Sequence, residues 1–554
     1  MVRATRRIAI VLALVVAGGA LAGRVPATTP RFLPDDPLAV EPETQDAGAA
    51  APREIDLVWD LAENLFGRPG DTARDVPAAN VNTIDEVPDS GWFTNRILSR
   101  PLSLDEAVRG PLAGPGPADG AWIVTHPKSA GFAPGFRMRD RAGTVWFVSL
   151  DPTGFGESAT GALAVANKLF WALGYFQVED HLTWVRADQL TIADTARVRA
   201  ESGRLRPMRR ADLDAVLARA ARGPDGRYRA VASRGLPGTI LGGFEYHGTR
   251  PDDPNDVVPH EHRRELRALK VFGAWVNLVD MKAGNTLDIV VPGPAGRRVV
   301  RHYLQDVGST FGAGATGPRQ FDEGWESLLD TPRVLARLFT FGLYMRPWQH
   351  VRYMELPSVG RFEGDRFDPR TWSPRVPPAA FRHARADDEF WAARRVMAFS
   401  DAMIRAVVHT GNYSDSRAEQ LLADVLIKRR DAIGRAYLPA ITPLADFAFD
   451  EARGLTFVNV AAAAGVAAAP AGGYRLQWLE TDNATGATAP IGDESAADPA
   501  GTPPPDALPD GVSAALTARV WALDPRHPAW RTPVDASFMR ASEGWRLVGL
   551  DRMP

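Results

Sequence analysis

The 554-residue sequence predicts an α+β protein, and three changes in hydrophobic period carry the prediction. Between residues 121 and 185, short alternating apolar runs flank one helix-length segment. Between 261 and 440, apolar residues recur mostly at helical spacing. After Pro439 the alternation returns, broken by turn-rich stretches.

In the first region, strands are expected over 122–124, 136–139 and 145–150, with Arg141-Ala142-Gly143 turning the chain between the last two. A helix follows over 158–173, closed by Gly174 as its C-cap, and then a strand over 182–185. Upstream, 53–117 reads as an N-terminal extension. It has one amphipathic stretch (Ile55, Leu57, Val58, Leu61, Leu65) and a polar turn segment over 80–96.

In the second region, Leu266, Leu269, Phe272 and Val276 lie on one helical stripe that ends near Leu278. Further helices are expected over 334–344, 390–408 and 418–438. A single β-hairpin interrupts them, with strands over 286–291 and 299–305 joined by the turn-rich Pro292-Gly293-Pro294-Ala295-Gly296. Alternation at 447–449, 474–478, 515–521 and 545–550 predicts a β-sandwich-like module over 441–554, with a Pro/Ala/Asp-rich insert near 488–512.

The start of the chain reads as a secretory signal over 1–22. Arg3, Arg6 and Arg7 precede an apolar run, and Ala20-Leu21-Ala22 offers a small-x-small cleavage site. An uncleaved anchor is the alternative. Residues 23–52, rich in Pro, Ala, Thr and Asp, read as a flexible spacer. The expected location is therefore periplasmic or extracellular. The sequence has no cysteine, which excludes disulfides and a lipidated-cysteine anchor. No later apolar run approaches twenty residues, so no transmembrane segment is expected in the mature chain. A net charge of −3 gives nucleic acid no basic surface to bind.

The chemistry concentrates at the hairpin. The residue before its first strand and the residue after its second share its open end, so Asn285 and Asp306 should converge. An amide oxygen beside a carboxylate suits Mg2+ or Mn2+ bridging a polyphosphate. Asp280 falls beside them, where it could serve as a base or orienting group for an attacking hydroxyl. In the alternative reading Asp280 terminates a helix, Asn285 starts a strand and Asp306 is a turn residue.

Asp280-Met281-Lys282-Ala283-Gly284-Asn285 resembles the catalytic loop of the protein-kinase fold, and Asp306-Val307-Gly308 resembles its metal-binding Asp-Phe-Gly. The words around both motifs are similar to a family of uncharacterised exported bacterial proteins. That family in turn resembles atypical kinases of the spore-coat CotH and HipA types. The resemblance implies a two-lobed kinase-like core, with an N-lobe over 118–245 and a mainly helical C-lobe over 246–440. It also implies a phosphotransferase using Mg2+ or Mn2+ with ATP, acting on an acceptor of unstated identity, with a cell-envelope protein as the expected kind of partner. Asp280 and Lys282 would be catalytic, and Asn285 and Asp306 would hold metal. Gly131 and Gly135 would form the turn over the phosphates.

Two departures stand against catalysis. Ser149 occupies the strand position where similar sequences carry lysine, and Leu163 the helix position where they carry glutamate. Lys128, Arg137 or Arg139 could supply the missing charge from a neighbouring strand, and Glu157 could replace the glutamate. The other reading is therefore a catalytically impaired pseudokinase acting as a binding or scaffold protein.

Three further clusters have weaker patterns. His260-Glu261-His262 has metal-ligand character without a partner set, and a helix N-terminus is its ordinary reading. Gly156-Glu157-Ser158 lies between strand and helix like a nucleophile elbow, but Thr160 fills the final glycine position. Asp252-Asp253-Pro254-Asn255-Asp256 reads as a loop of Asx turns or a calcium loop.

Overall fold

The computed structural model describes residues 30–33, 43–128, 132–200, 202–509, 514–542 and 544–552. The signal segment over 1–22 and Gly131 lie outside the described residues. The protein is a mixed α/β structure. Its first sheet uses β1 (Trp122–Pro127), β2 (Gly135–Arg139), β3 (Val145–Leu150), β4 (Asp180–Val185), β5 (Leu190–Ile192) and β6 (Tyr228–Arg234), in the order β4-β6-β3-β2-β1-β5. Only β1 and β5 pair in parallel.

One face of this sheet is a buried apolar core. Trp122, Val124, Phe136, Met138, Trp146 and Val148 pack there against Leu213, Val216 and Leu217 of the helix Arg210–Leu217. The other face carries a row in register across five strands, polar at Asp180, Ser233, Arg137 and His126 with Phe147 at its middle. Helix α1 (Ser158–Leu173) runs alongside β4 and β6. Thirteen of its sixteen residues are buried, which is how a helix enclosed on all sides reads. Gly161 lets the Tyr413 ring approach α1, where a Cβ would stand 2.6 Å from the phenol oxygen. Gly174 ends α1 at φ 127°, a conformation that favours glycine.

The second sheet is smaller. β7 (Thr239–Gly242), β8 (Thr286–Pro292) and β9 (Arg298–Leu304) pair antiparallel in the order β9-β8-β7, with Thr286 opposite Leu304 and Pro292 opposite Arg298. Residues 43–53 cross from one edge strand of this sheet to the other. The Ala47 N–H donates to the Arg298 carbonyl, the Arg53 N–H donates to the Leu241 carbonyl, and Ala47 and Ala50 are buried against Val290 and Val300. This corrects the flexible-spacer expectation over 43–52. Small alanines fit under the backbone of a sheet, and a composition rule reads them as linker.

Helix α2 (Leu269–Val276) stops where Asn277 turns left-handed at φ 57°. It packs in one continuous core with α1, α3 (Ala386–Met397), α4 (Asp401–His409) and α5 (Ser416–Tyr437). The single helix expected over 390–408 is two, because the Ser400 Oγ accepts the Met403 N–H and starts α4 afresh. The helix expected over 334–344 spans Thr331–Phe339 instead, since Phe341 and Gly342 both take positive φ.

The tail forms a five-stranded antiparallel sheet, in space Thr488–Ala497, Tyr474–Asp482, Ala514–Ala522, Val534–Ala541 and Gly544–Asp551. The hairpin Leu444–Asp450/Gly454–Asn459 covers one face, burying Phe447, Phe449, Leu455 and Phe457 against Trp478 and Phe538. It is a sheet with a covering hairpin rather than two comparable sheets. Strand Thr488–Ala497 occupies the expected insert; its residues are mostly small or charged and exposed, so no alternation marks it. The tail is tied to the rest through buried contacts. Arg552 Nε donates to Asp85 at 2.6 Å, and Trp530 Nε1 donates to the Pro439 carbonyl at 3.0 Å. Among the described residues no helix is long and apolar enough to cross a membrane.

Candidate functional site

The loop between α2 and β8 brings the hairpin residues together. A 3-10 turn over Ala283–Asn285 leads into β8, and the Thr286 Oγ secures it by donating to the Ala283 carbonyl at 2.7 Å. The Asn285 carbonyl accepts the N–H groups of Gln305 and Asp306 at 3.0 and 3.1 Å, which sets the two residues side by side. The Asn285 Nδ2 donates to the Asp280 carbonyl at 2.8 Å. That contact fixes the amide through its nitrogen, and no hydrogen bond to its oxygen is made among the described residues. The Asp306 Oδ1 accepts the Gly308 N–H at 3.0 Å, and its side chain is exposed.

Asp280 is half-buried. Its Oδ2 is 2.8 Å from Lys282 Nζ and 3.8 Å from Arg319 Nη2. Arg319 also donates to Ser309 Oγ, so it bridges the two motifs. Sequence reasoning missed Arg319, which follows the Asp306 turn with no marking pattern. It also missed Asp60, a buried carboxylate that accepts the Ala283 N–H and backs the loop, and whose pKa burial raises. Gly284 lies against Leu57 of the same helix, Leu57–Ala62.

One residue of the polar face of the first sheet, Asp180, is close enough to this loop for the Asp306 charge to act on it. Asp180 lies on that face, receiving hydrogen bonds from Asn167 Nδ2 at 2.9 Å and Ser233 Oγ at 2.5 Å. Burial pushes its pKa up to about 7, and the Asp306 charge pushes the same way against the pull of Ser233, Lys168 and Asn167. Lys168 of α1 is buried, and desolvation draws its pKa down to about 8, opposed by Asp180. Neither residue stood out in the sequence, because a lysine and an aspartate twelve positions apart follow no known motif.

Around Ser149 the charge comes from elsewhere. Lys128 Nζ donates to Ser149 Oγ at 3.4 Å. Arg137 lies one pair along from Gly135 on the same face, at 6.0 Å over the Phe147 ring, with its buried Nε lacking a hydrogen-bond partner among the described residues. Gly135 has a steric role: a Cβ there would collide with the Val148 carbonyl of β3. Arg139 is exposed at the far end of β2.

Glu157 does not join this group. Its carboxylate accepts the Ser414 N–H at 3.0 Å and lies 3.6 Å from Arg229, on the opposite side of the α1 N-terminus. Leu163 takes the place facing the Asp-Val-Gly turn, with its Cδ1 3.7 Å from where a Gly308 Cβ would stand. An apolar side chain therefore sits where the resemblance calls for a carboxylate.

The weaker motifs are occupied by structure. His260 Nε2 pairs with Asp256 at 2.8 Å and its Nδ1 meets the Glu245 carbonyl, while His262 bonds Arg267 and Asp71. Asp253, Asn255 and Asp256 form turns and hold Gln45 and Arg250. Ser158 is buried in the first turn of α1, away from any nucleophile's exposed position.

Among the described residues no three His, Cys, Asp or Glu side chains gather at metal-binding distance. The donor set at the hairpin is one carboxylate and one amide oxygen. It fits a hard cation that takes its remaining ligands from phosphate oxygens and water, as Mg2+ does in nucleotide sites.

No protein-family model matches the chain. No curated protein matches it either. Among solved structures, the Golgi casein kinase with Mn/ADP bound matches at 9% identity and a TM-score of 0.28, over 74% of this chain and 97% of that one. A second Golgi casein kinase structure matches at 10% identity and a TM-score of 0.27, over 73% and 96%. Likenesses at that level establish neither fold nor chemistry for this chain.

Proposed function

We propose that the protein is an exported, kinase-like phosphotransferase that uses a metal–nucleotide, with the six-stranded sheet and the helical region as its two lobes. The observation that carries the reading is the joining of Asp280, Asn285 and Asp306 through one short hydrogen-bonded loop at the open end of the β8–β9 hairpin. Asn285 and Asp306 would hold Mg2+ or Mn2+, which supplies charge neutralisation on the β- and γ-phosphates when bound. Asp280 orients an acceptor hydroxyl and accepts its proton, and Lys282 keeps that carboxylate turned toward the loop. Lys128 and Arg137 offer cations to the phosphates from the polar face of the sheet, in place of a lysine at position 149.

The impaired-enzyme reading rests on Leu163. With Leu163 in place of a carboxylate at that position of α1, the ion pair that would couple α1 to the phosphate-binding cation lacks its acid. The two readings separate in a phosphotransfer assay. An active enzyme transfers phosphate from Mg–ATP and loses transfer, though not nucleotide binding, in Asp280→Ala. An impaired one shows no transfer until Ser149→Lys is combined with Leu163→Glu. Absence of nucleotide affinity in all of these proteins would remove both readings.

A further inference from the structure

Helix Thr331–Phe339 is inverted relative to a normal surface helix. Its apolar residues, Val334, Leu335, Leu338 and Phe339, cluster on one arc, and all four are exposed, while Arg333 and Ala336 are its more covered positions. The following turn continues the apolar surface. Leu338 is 67% exposed, Phe339 76%, Phe341 95% and Leu343 83%. Soluble proteins rarely display so continuous an apolar surface without a partner.

The inward side of the segment is fastened by polar contacts. Arg333 donates to the Trp325 carbonyl and pairs with Asp330 at 3.1 Å. Arg346 pairs with Glu326, to which Trp348 Nε1 also donates at 2.8 Å. The apolar arc is thus held facing solvent.

Charge identifies what covers it. Residues 328–352 contain four arginines and a single acid, Asp330, in a chain whose net charge is −3. Arg337 and Arg352 make no ion pair among the described residues, and Arg337 adjoins the apolar arc. An amphipathic helix with Leu and Phe on one side and arginine at its border is suited to lie in the interface of an anionic bilayer. Arg337 and Arg352, the two arginines not held inward, would meet lipid phosphates while the apolar side chains enter the acyl boundary.

We infer that the segment 328–352 docks the protein on the surface of an anionic phospholipid membrane. The inference stands apart from the transferase reading and does not require nucleotide. The full chain should co-sediment with vesicles of mixed phosphatidylcholine and phosphatidylglycerol, and less with phosphatidylcholine alone. Added salt should weaken the anionic preference. Leu338→Asp with Phe341→Asp should reduce binding by about tenfold or more while leaving the melting temperature unchanged, since both side chains are exposed. Arg337→Glu should reduce the preference for phosphatidylglycerol and leave weaker binding to phosphatidylcholine. No binding to anionic vesicles overturns the inference, as does binding that persists in the double variant. A concentration-dependent dimer that the double variant abolishes, without vesicle binding, would assign the face to a second copy instead.

Discussion

Arg264 and Asp306 are both charged residues near the centre of the chain, in opposite settings. Arg264 is buried and meets Asp85, Asp387 and Asp388 at 2.5, 3.1 and 3.1 Å. Asp306 is exposed, and among the described residues its carboxylate accepts a hydrogen bond from Gly308 alone. Around Arg264 the network goes on through Arg267 to Asp388, and through Asp85 to Arg552 of the tail. Burial opposes the charge on Arg264, but the carboxylates more than offset it and raise its pKa. Burial likewise opposes the Asp85 carboxylate, and Arg264 and Arg552 hold its pKa below the ordinary value. Charges enclosed with their partners specify how the parts of the chain join. A charge left with spare lone pairs at a loop is available to a ligand.

Substitutions should separate the two regions cleanly. Arg264→Ala leaves three carboxylates buried beside an empty site and should cost about 3–5 kcal/mol, read as a lowered denaturant midpoint. Arg552→Ala removes one partner of Asp85 but leaves Arg264, so a smaller loss of about 2–3 kcal/mol is expected. If Arg552→Ala is neutral, the tail is a separable module and not part of the core.

Asp180 lies between the two regimes, buried yet close to the site. Its folded pKa of about 7 lies above the unfolded value, so the native state holds its proton where the unfolded chain has released it. Stability from this group is full below about pH 4 and is lost as pH rises toward 7. Asp180→Asn should remove that slope, which is up to about 1.4 kcal/mol per pH unit within the window, in metal-free protein. Unchanged pH dependence would show that Asp180 is ionised throughout.

Lys128→Ala is expected to have the smallest effect on stability, within about 0.5 kcal/mol for a surface side chain. It should weaken Mg–ATP binding about tenfold, or about 1.4 kcal/mol. Equal affinity in Lys128→Ala would remove Lys128 from the phosphate side and leave Arg137 to be tested.

Much of this was legible in the sequence where period and turn chemistry agree. Helix Ser158–Leu173 with its Gly174 cap, strand β3 and the β8–β9 hairpin appear where the pattern places them. The pairing of Asn285 with Asp306 follows from hairpin geometry alone. What was not legible depends on tertiary contacts. Glu157 is near Ser149 in sequence, but its own left-handed backbone at the N-cap of α1 turns its carboxylate to Arg229 and the Ser414 N–H. Residues 43–52 look like linker until a sheet is present to receive Ala47 and Ala50. Arg319, Asp60, Lys168 and Asp180 reach the site from four separate segments, and no local spacing connects them.

The contrast between the closed network and the open loop turns most directly on one measurement, the thermal shift of the full chain with Mg–ATP. The wild-type melting temperature should rise with Mg–ATP concentration and not with ATP plus a chelator. Asp306→Ala should melt within about 2 °C of wild type, as an exposed side chain allows, and show no shift with Mg–ATP. No wild-type shift at any Mg–ATP concentration, or an equal shift in Asp306→Ala, would contradict the assignment of the β8–β9 loop as a metal–nucleotide site.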